Sequence, residues 1–446
     1  MGHTKYELSD VDKAGIAKTV KVFLFYEFQS DIDPNSLVSS LVEGVRNATS
    51  QLPFMAGNLE FENGKLCIVL PPEGQVEVTT RQFKPREQKS FSALVQDSFF
   101  PDDFNFTDFL PEEPLARKQV CALQLSLVEG GLILGLRMDH AAGDWSSLNA
   151  FLSLICQSCK AYRGGSKMPT YTADLNRAPY NAPATDSSLT KQEYLEKLPM
   201  FNILEKSQFK PKTPPVFQSR MYRISDSCIK QLKAQCTPYL TEVDYITSYD
   251  CITALVWSSI TRARLNVHPE KSSFPSYLVH PIDVRARDSE KKTSERYFGN
   301  AVIGSQAGPA AAKALASNSD RGLAAAATLI RQSINSTSLS TISHMSSVMR
   351  LLAPTEILVP QADFNDMDLF MNTWHSGDAE QYDLGDNVRP VAFRAPSSFP
   401  GACAVVFPNF SRGETRVFEV LVQLAVEEHE ALRKDPEFLS HFEIVR

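Results

Sequence analysis

The run from Lys118 to His140, KQVCALQLSLVEGGLILGLRMDH, constrains the fold more than any other segment. Two stretches rich in Leu, Ile and Val flank Glu129-Gly130-Gly131, where glycine permits a tight reversal, so the run reads as two strands of a hairpin. Side chains of a strand alternate between its faces. Leu132, Leu134, Leu136 and Met138 therefore share one face, and His140 continues their parity. That puts an imidazole, aimed inward, where the strand ends. Ala141, Ala142 and Gly143 are small and leave room beside the ring. Asp144 stands just before the helical spacing of Trp145, Leu148, Leu152, Ile155 and Cys159.

Strands and helices alternate along the rest of the chain without strict βαβ order. Residues 19–28 read as a strand, and Leu37, Leu41, Val45 and Leu52 recur at near-helical spacing. LPFMAGNLEFENGKLCIVL reads as a hairpin turning at Glu62-Asn63-Gly64. After the helix at 145–161, residues 176–216 become polar and proline-punctuated. The chain then resumes with a strand at 218–225 and a helix at 248–265, whose Ile252, Leu255, Val256, Ile260 and Ala263 form one stripe. Strand patterns follow at 276–287, 367–376 and 401–410, with a broken Ala-rich helix at 308–333 and a strand then a helix from 416. This predicts an α+β protein. It has a first lobe over 1–180, a crossover linker over 181–215 and a second lobe over 216–446.

A net charge of −7 with both signs interspersed, and no Lys/Arg run, argues against a nucleic-acid partner. No apolar run approaches the roughly 18 residues of a membrane span. MGHTKYELSDVDKAG lacks the apolar core of a secretory signal, so the expected location is cytoplasmic, and the sequons at Asn47, Asn105, Asn335 and Asn409 read as chance. Eight scattered cysteines fit a reducing compartment, and Cys156 and Cys159 read as buried thiols on one helix face.

Two readings of His140 and Asp144 are open. In one, Asp144 is a helix N-cap and His140 a core histidine. In the other, His140 is a general base, since an imidazole with a pKa near 6.5 accepts a proton at neutral pH. Further features bear on the choice: Arg285 in the strand HPIDVR, the loop Tyr297-Phe298-Gly299-Asn300, Asn372-Thr373-Trp374, and the carboxylate-rich turn Tyr382 to Asp386.

In this order, those motifs resemble the BAHD acyl-CoA-dependent acyltransferases. HxxxD is His140–Asp144. ALVW followed by RAR, IDVRAR, YFGN, an NTW strand and a DFGWG-like turn at 383–387 come after it. The likeness runs from LPFMAG to the end of the chain and is nearer to the family's fungal branch. It departs from the plant pattern in two places: Trp145 stands where that pattern has glycine, and of DFGWG only Asp383 and Gly385 remain. The resemblance implies two similar lobes like chloramphenicol acetyltransferase, each a mixed sheet packed with helices, with an active-site tunnel between them.

By resemblance, His140 deprotonates an acceptor hydroxyl as it attacks an acyl-CoA thioester, and no covalent acyl-enzyme forms. Asn372, Thr373 and Trp374 face the oxyanion. Asp144 pairs with Arg285 rather than polarising His140, and Asp383 and Gly385 give structural support. Ser248, Tyr297, Gly299 and Asn300 meet coenzyme A. The implied protein is a monomer without a resident cofactor or metal. It uses acetyl-CoA as co-substrate and a hydroxylated natural product as acceptor. Two rival readings keep the fold: CoA-independent cyclisation or isomerisation, and non-catalytic metabolite binding.

Overall fold

The hairpin of strands Cys121–Val128 and Gly131–Asp139 pairs antiparallel, and every residue but Asp139 is buried. Strand Thr19–Glu27 lies on its other side, with Leu24 opposite Leu134 and Thr19 opposite Asp139. Buried on both faces, these strands read as continuous apolar runs. Leu132, Leu134, Leu136 and Met138 enter one cluster and Ile133 another. Fully burying one such side chain contributes about 1.5–3 kcal/mol. The computed structural model describes residues 4–13, 18–62, 65–99, 105–112, 119–181, 189–208, 214–288, 293–377, 380–396, 399–408 and 416–445.

The architecture is the expected two-lobed α+β arrangement. The first lobe holds a five-stranded sheet in the order 390–394, 19–27, 131–139, 121–128 and 77–82. The second holds a seven-stranded sheet in the order 302–311, 275–283, 369–373, 403–406, 417–425, 217–225 and 443–444. Helices Pro34–Gln51 and Trp145–Arg163 pack together in the first lobe. Their backbones come so close that a Cβ at Gly44 would lie 2.6 Å from the Ile155 carbonyl oxygen. The anticipated stripe of Leu37, Leu41, Val45 and Leu52 is buried, as are Leu148, Leu152, Ile155 and Cys159. In the second lobe, helix Ser248–Val267 is buried nearly all round and carries the fully enclosed Trp257.

Several elements differ from the sequence expectation. The segment assigned as linker contains helix Lys191–Glu196 and strand Phe201–Glu205, which pairs with Glu356–Pro360. Residues 308–333 begin in a strand, Val302–Ala311, and become helical at Ala312–Leu315 and Asp320–Ser336. Strand Pro390–Arg394, placed by sequence position in the second lobe, pairs with Thr19–Glu27 and so belongs to the first sheet. The hairpin of Asn58–Glu62 and Lys65–Val69 forms as anticipated. Its turn at Asn63-Gly64 lies outside the described residues, as do Lys118, Ala182, Pro183, 210–213 and the Asn409 sequon.

Candidate active site

His140 follows the last residue of its strand and is half-buried, neither sealed in the core nor out in solvent. Two hydrogen bonds fix its main chain. Its N–H donates to the Lys18 carbonyl at 2.7 Å, and its carbonyl accepts from Asn300 Nδ2 at 2.8 Å. Its Nδ1 is buried and has no hydrogen-bond partner among the described residues. Leaving a buried polar atom unpaired costs about 1–3 kcal/mol, so native proteins rarely keep one without a reason.

Asp144 does not supply that partner. It caps helix Trp145–Arg163, accepting from Ser147 N–H at 3.2 Å. Arg285 clamps it with two parallel bonds, Nη1 to Oδ2 at 2.8 Å and Nη2 to Oδ1 at 2.9 Å, and Ala301 N–H adds a bond to Oδ2 at 2.9 Å. Both carboxylate oxygens are thus committed away from the ring. Arg285 also donates to the carbonyls of Tyr297 (3.0 Å) and Gly299 (2.8 Å) and to Asp283 (2.9 Å). Burial opposes its charge, but the Asp144 and Asp283 carboxylates more than offset this, and its proton is held more firmly than usual. The expected Asp144–Arg285 pair is present, and it joins the two lobes.

The Tyr297–Asn300 loop is placed differently from its expected role against coenzyme A. Tyr297, Gly299 and Asn300 are all buried, with Tyr297 only 2% and Asn300 4% exposed. They offer almost no surface to a ligand and instead hold the HxxxD loop. Asn300 donates from its backbone and side chain to Asp12 Oδ1, at 2.7 and 2.9 Å, while its side chain also reaches the His140 carbonyl. Asp12 is fully buried and receives Arg177 Nε at 3.1 Å. A chain of contacts, Arg177–Asp12–Asn300–His140, therefore fixes the main chain that carries the imidazole. Ser248 remains exposed in the first turn of its helix.

The second lobe reaches the same loop through aromatic rings. Trp145 stacks on Trp374 with centroids 5.1 Å apart and planes 13° from parallel, and its Nε1 donates to Ser376 Oγ at 2.8 Å. The stack brings strand Leu369–Thr373 to the residue after Asp144. The backbone N–H groups there are already committed: Thr373 donates to Asn372 Oδ1 and Trp374 to the Val406 carbonyl. The side chains of Asn372 and Thr373 are half-buried, and Thr373 Oγ1 lies 2.7 Å from His375 Nδ1.

The remaining expected residues bond within the fold. Asp383 binds Lys160 Nζ at 2.8 Å and Gly385 N–H at 2.9 Å, tying the eroded turn to the end of helix Trp145–Arg163. Gly385 has φ +89°, the left-handed region that glycine enters without strain. His280 is fully buried between Tyr249 Oη and Ser333 Oγ, and burial lowers its pKa to about 3. Cys156 and Cys159 are buried free thiols, the latter pushed up to about 12 by burial. Among the described residues no helix is long and apolar enough to cross a membrane, and no cluster of three His, Cys, Asp or Glu could hold a metal.

A model of the Transferase family matches residues 2–439. The chain belongs to the Transferase family. This agrees with the BAHD likeness of its motifs. Trichothecene 3-O-acetyltransferase TRI101 of Fusarium sporotrichioides is 21% identical over 448 residues, covering 94% of this chain and 92% of that protein. Acetyltransferase FGR3 of Gibberella zeae is 24% identical, but the match spans only 41% of this chain and 35% of that protein. The solved structure of F. graminearum TRI101 with coenzyme A and T-2 mycotoxin superposes with a TM-score of 0.82, at 17% identity, over 99% of this chain and all of that one. At that identity the likeness establishes the shared fold.

Proposed function

We propose that this transferase moves an acyl group, acetyl by preference, from acyl-CoA to a hydroxyl of an apolar natural product, with His140 as general base. One observation carries the reading. The His140 main chain is clamped on both sides while its half-buried ring makes no hydrogen bond to any described residue. That is a base held in place without being consumed by a structural bond. In the reaction, the ring takes the acceptor's hydroxyl proton as oxygen attacks the thioester carbonyl. The tetrahedral intermediate collapses, the C–S bond breaks, and His140 returns the proton to the departing thiolate. A base placed this way supplies about 10²–10⁴-fold.

Asn372 is the favoured oxyanion donor. Its Oδ1 is occupied by Thr373, which leaves its side-chain amide N–H groups available. Asp144 and Arg285 position the loop and join the lobes, with no proton transfer of their own. Ser248 is the one expected coenzyme A contact that stays on the surface. The fungal relatives, an acetyltransferase and a trichothecene 3-O-acetyltransferase, support acetyl-CoA and a hydroxylated secondary metabolite.

The test is incubation with acetyl-CoA and a panel of hydroxylated terpenoids and polyketides, reading free thiol and product mass. We expect acceptor-dependent thiol release with one acetyl transferred, abolished in His140→Ala. Thiol release unchanged in that variant would exclude the assignment.

A further inference from the structure

A second group of reactive side chains lies in the helical layer of the second lobe and shares no residue with the HxxxD network. Cys228 is the third residue of helix Asp226–Cys236. Its Sγ lies 3.2 Å from His441 Nδ1, and the other nitrogen of that ring lies 3.3 Å from Glu437 Oε1. His441 and Glu437 sit one turn apart on helix Pro436–His441. Thiol, imidazole and carboxylate are thus in line, each within reach of the next, the arrangement that nucleophilic catalysis by cysteine requires. The other seven cysteines are buried; Cys228 alone is partly open.

A cleft of about 310 Å³ borders the group: His441 and Glu437 form part of its wall, while Cys228 itself is not among the lining residues. Most of its lining is polar, Arg262, Asn318 and Asp320 among it, with Leu232, Leu255 and Leu323 as the apolar part. Ser258 also lines it; its side chain is 4% exposed and its hydroxyl has no partner among the described residues. Its mainly polar lining offers donors to a carbonyl oxygen, and the leucines can meet only a short apolar chain.

We propose that Cys228, His441 and Glu437 form a second nucleophilic centre, at which Cys228 accepts a short acyl group from a thioester. Burial pushes the Cys228 thiol up from its ordinary value, so it rests protonated and needs a base. As Sγ attacks the thioester carbonyl, its proton passes to His441. The bond between that carbon and the leaving sulfur then breaks, and His441 returns the proton to the departing thiolate. The products are S-acyl-Cys228 and a free thiol, with no change of oxidation state. Glu437 is a positioning residue that orients the ring and steadies its charged form. The HxxxD chemistry needs none of these groups, so the two assignments stand or fall separately.

The test uses the full chain and a thioester without the coenzyme A nucleotide, acetyl N-acetylcysteamine, with intact mass and peptide mapping as readout. We expect one acetyl group on the Cys228 peptide in the wild type and equally in His140→Ala, and none in Cys228→Ser. His441→Ala should slow acetylation about 10²-fold. Glu437→Ala should slow it less, and Glu437→Gln, which keeps an acceptor, should recover most of the lost rate. Iodoacetamide provides a check free of acyl chemistry: it should label Cys228 ahead of the seven buried thiols, and more slowly in His441→Ala. Equal acetylation of Cys228 in wild type and His441→Ala would reduce it to an exposed thiol and overturn the proposal. So would absence of acetyl on Cys228 in the wild type.

Discussion

Replacing Asp144 by Asn separates two roles a carboxylate at this position could have. Each of its oxygens accepts from two donors: Oδ1 from Ser147 N–H and Arg285 Nη2, Oδ2 from Arg285 Nη1 and Ala301 N–H. Whichever way the new amide turns, its NH2 faces two donors, and the buried Arg285 loses its main countercharge. Breaking one partner of a buried pair costs about 3–5 kcal/mol. Arg285 keeps Asp283 at 2.9 Å and two carbonyls, which favours the lower end, about 3 kcal/mol. For a cooperative unit the size of one lobe, roughly 2–4 °C per kcal/mol puts the expected fall in Tm at about 6–12 °C. Loosening the loop should also lower kcat/KM, on the order of 10²-fold for about 1 Å of misplacement. The acid limb of the kcat/KM profile should keep its midpoint, because Asp144 does not touch the His140 ring. Differential scanning calorimetry and a pH–rate series on Asp144→Asn decide the matter. An unchanged Tm with a displaced acid limb would mean that Asp144 acts on the ring, and the positioning argument would be wrong.

Three further outcomes are expected. Burial lowers the pKa of His280 to about 3 and of His429 to about 4. The unfolded chain binds those protons near pH 6.5 and the fold does not, so stability should fall as pH drops below about 6.5. The slope should be up to about 1.4 kcal/mol per pH unit per histidine. Urea midpoints at pH 7 and 5 should show the loss, and His429→Gln should make it shallower; an equal loss in that variant would contradict the linkage. Asp12→Ala frees the Asn300 side chain and leaves the buried Arg177 without its carboxylate. It should lower kcat several-fold while calorimetric affinity for coenzyme A holds, and a matching loss of affinity would count against a role behind His140. The chain has three tryptophans, two of them stacked. Trp145→Phe and Trp374→Phe should each abolish one exciton-coupled circular dichroism signal, whose survival in either variant would rule out the stack in solution.

Local pattern made much of the fold legible. The apolar hairpin ending at His140, the stripe on helix Pro34–Gln51 and the terminal strand and helix each carry their periodicity in contiguous residues. Strand Val302–Ala311 was concealed because VIGSQAGPAA is poor in β-branched and aromatic residues; the pairing with Pro275–Asp283 overrides its weak propensity. Motif order led to the Asp144–Arg285 pair. The support behind His140 was not legible, because Asp12 stands in an unremarkable segment and its partner Asn300 lies 288 positions away. Asn300 was assigned to a ligand by resemblance alone: of its actual partners, Asp12 is remote in sequence and the His140 carbonyl leaves no trace in side-chain identity.

Strand Pro390–Arg394 sets a limit on how this enzyme can be taken apart. It forms an edge of the first sheet, though most of the sequence around it serves the second. A gene cut in the 181–215 segment would release an amino-terminal half whose Thr19–Glu27 backbone had lost its neighbour. That bare edge, flanked by Phe23 and Phe25, would recruit other copies before it found its own complement. Only co-expressed fragments could be expected to reconstitute, and any swinging apart of the halves must pivot about a strand that both hold in common.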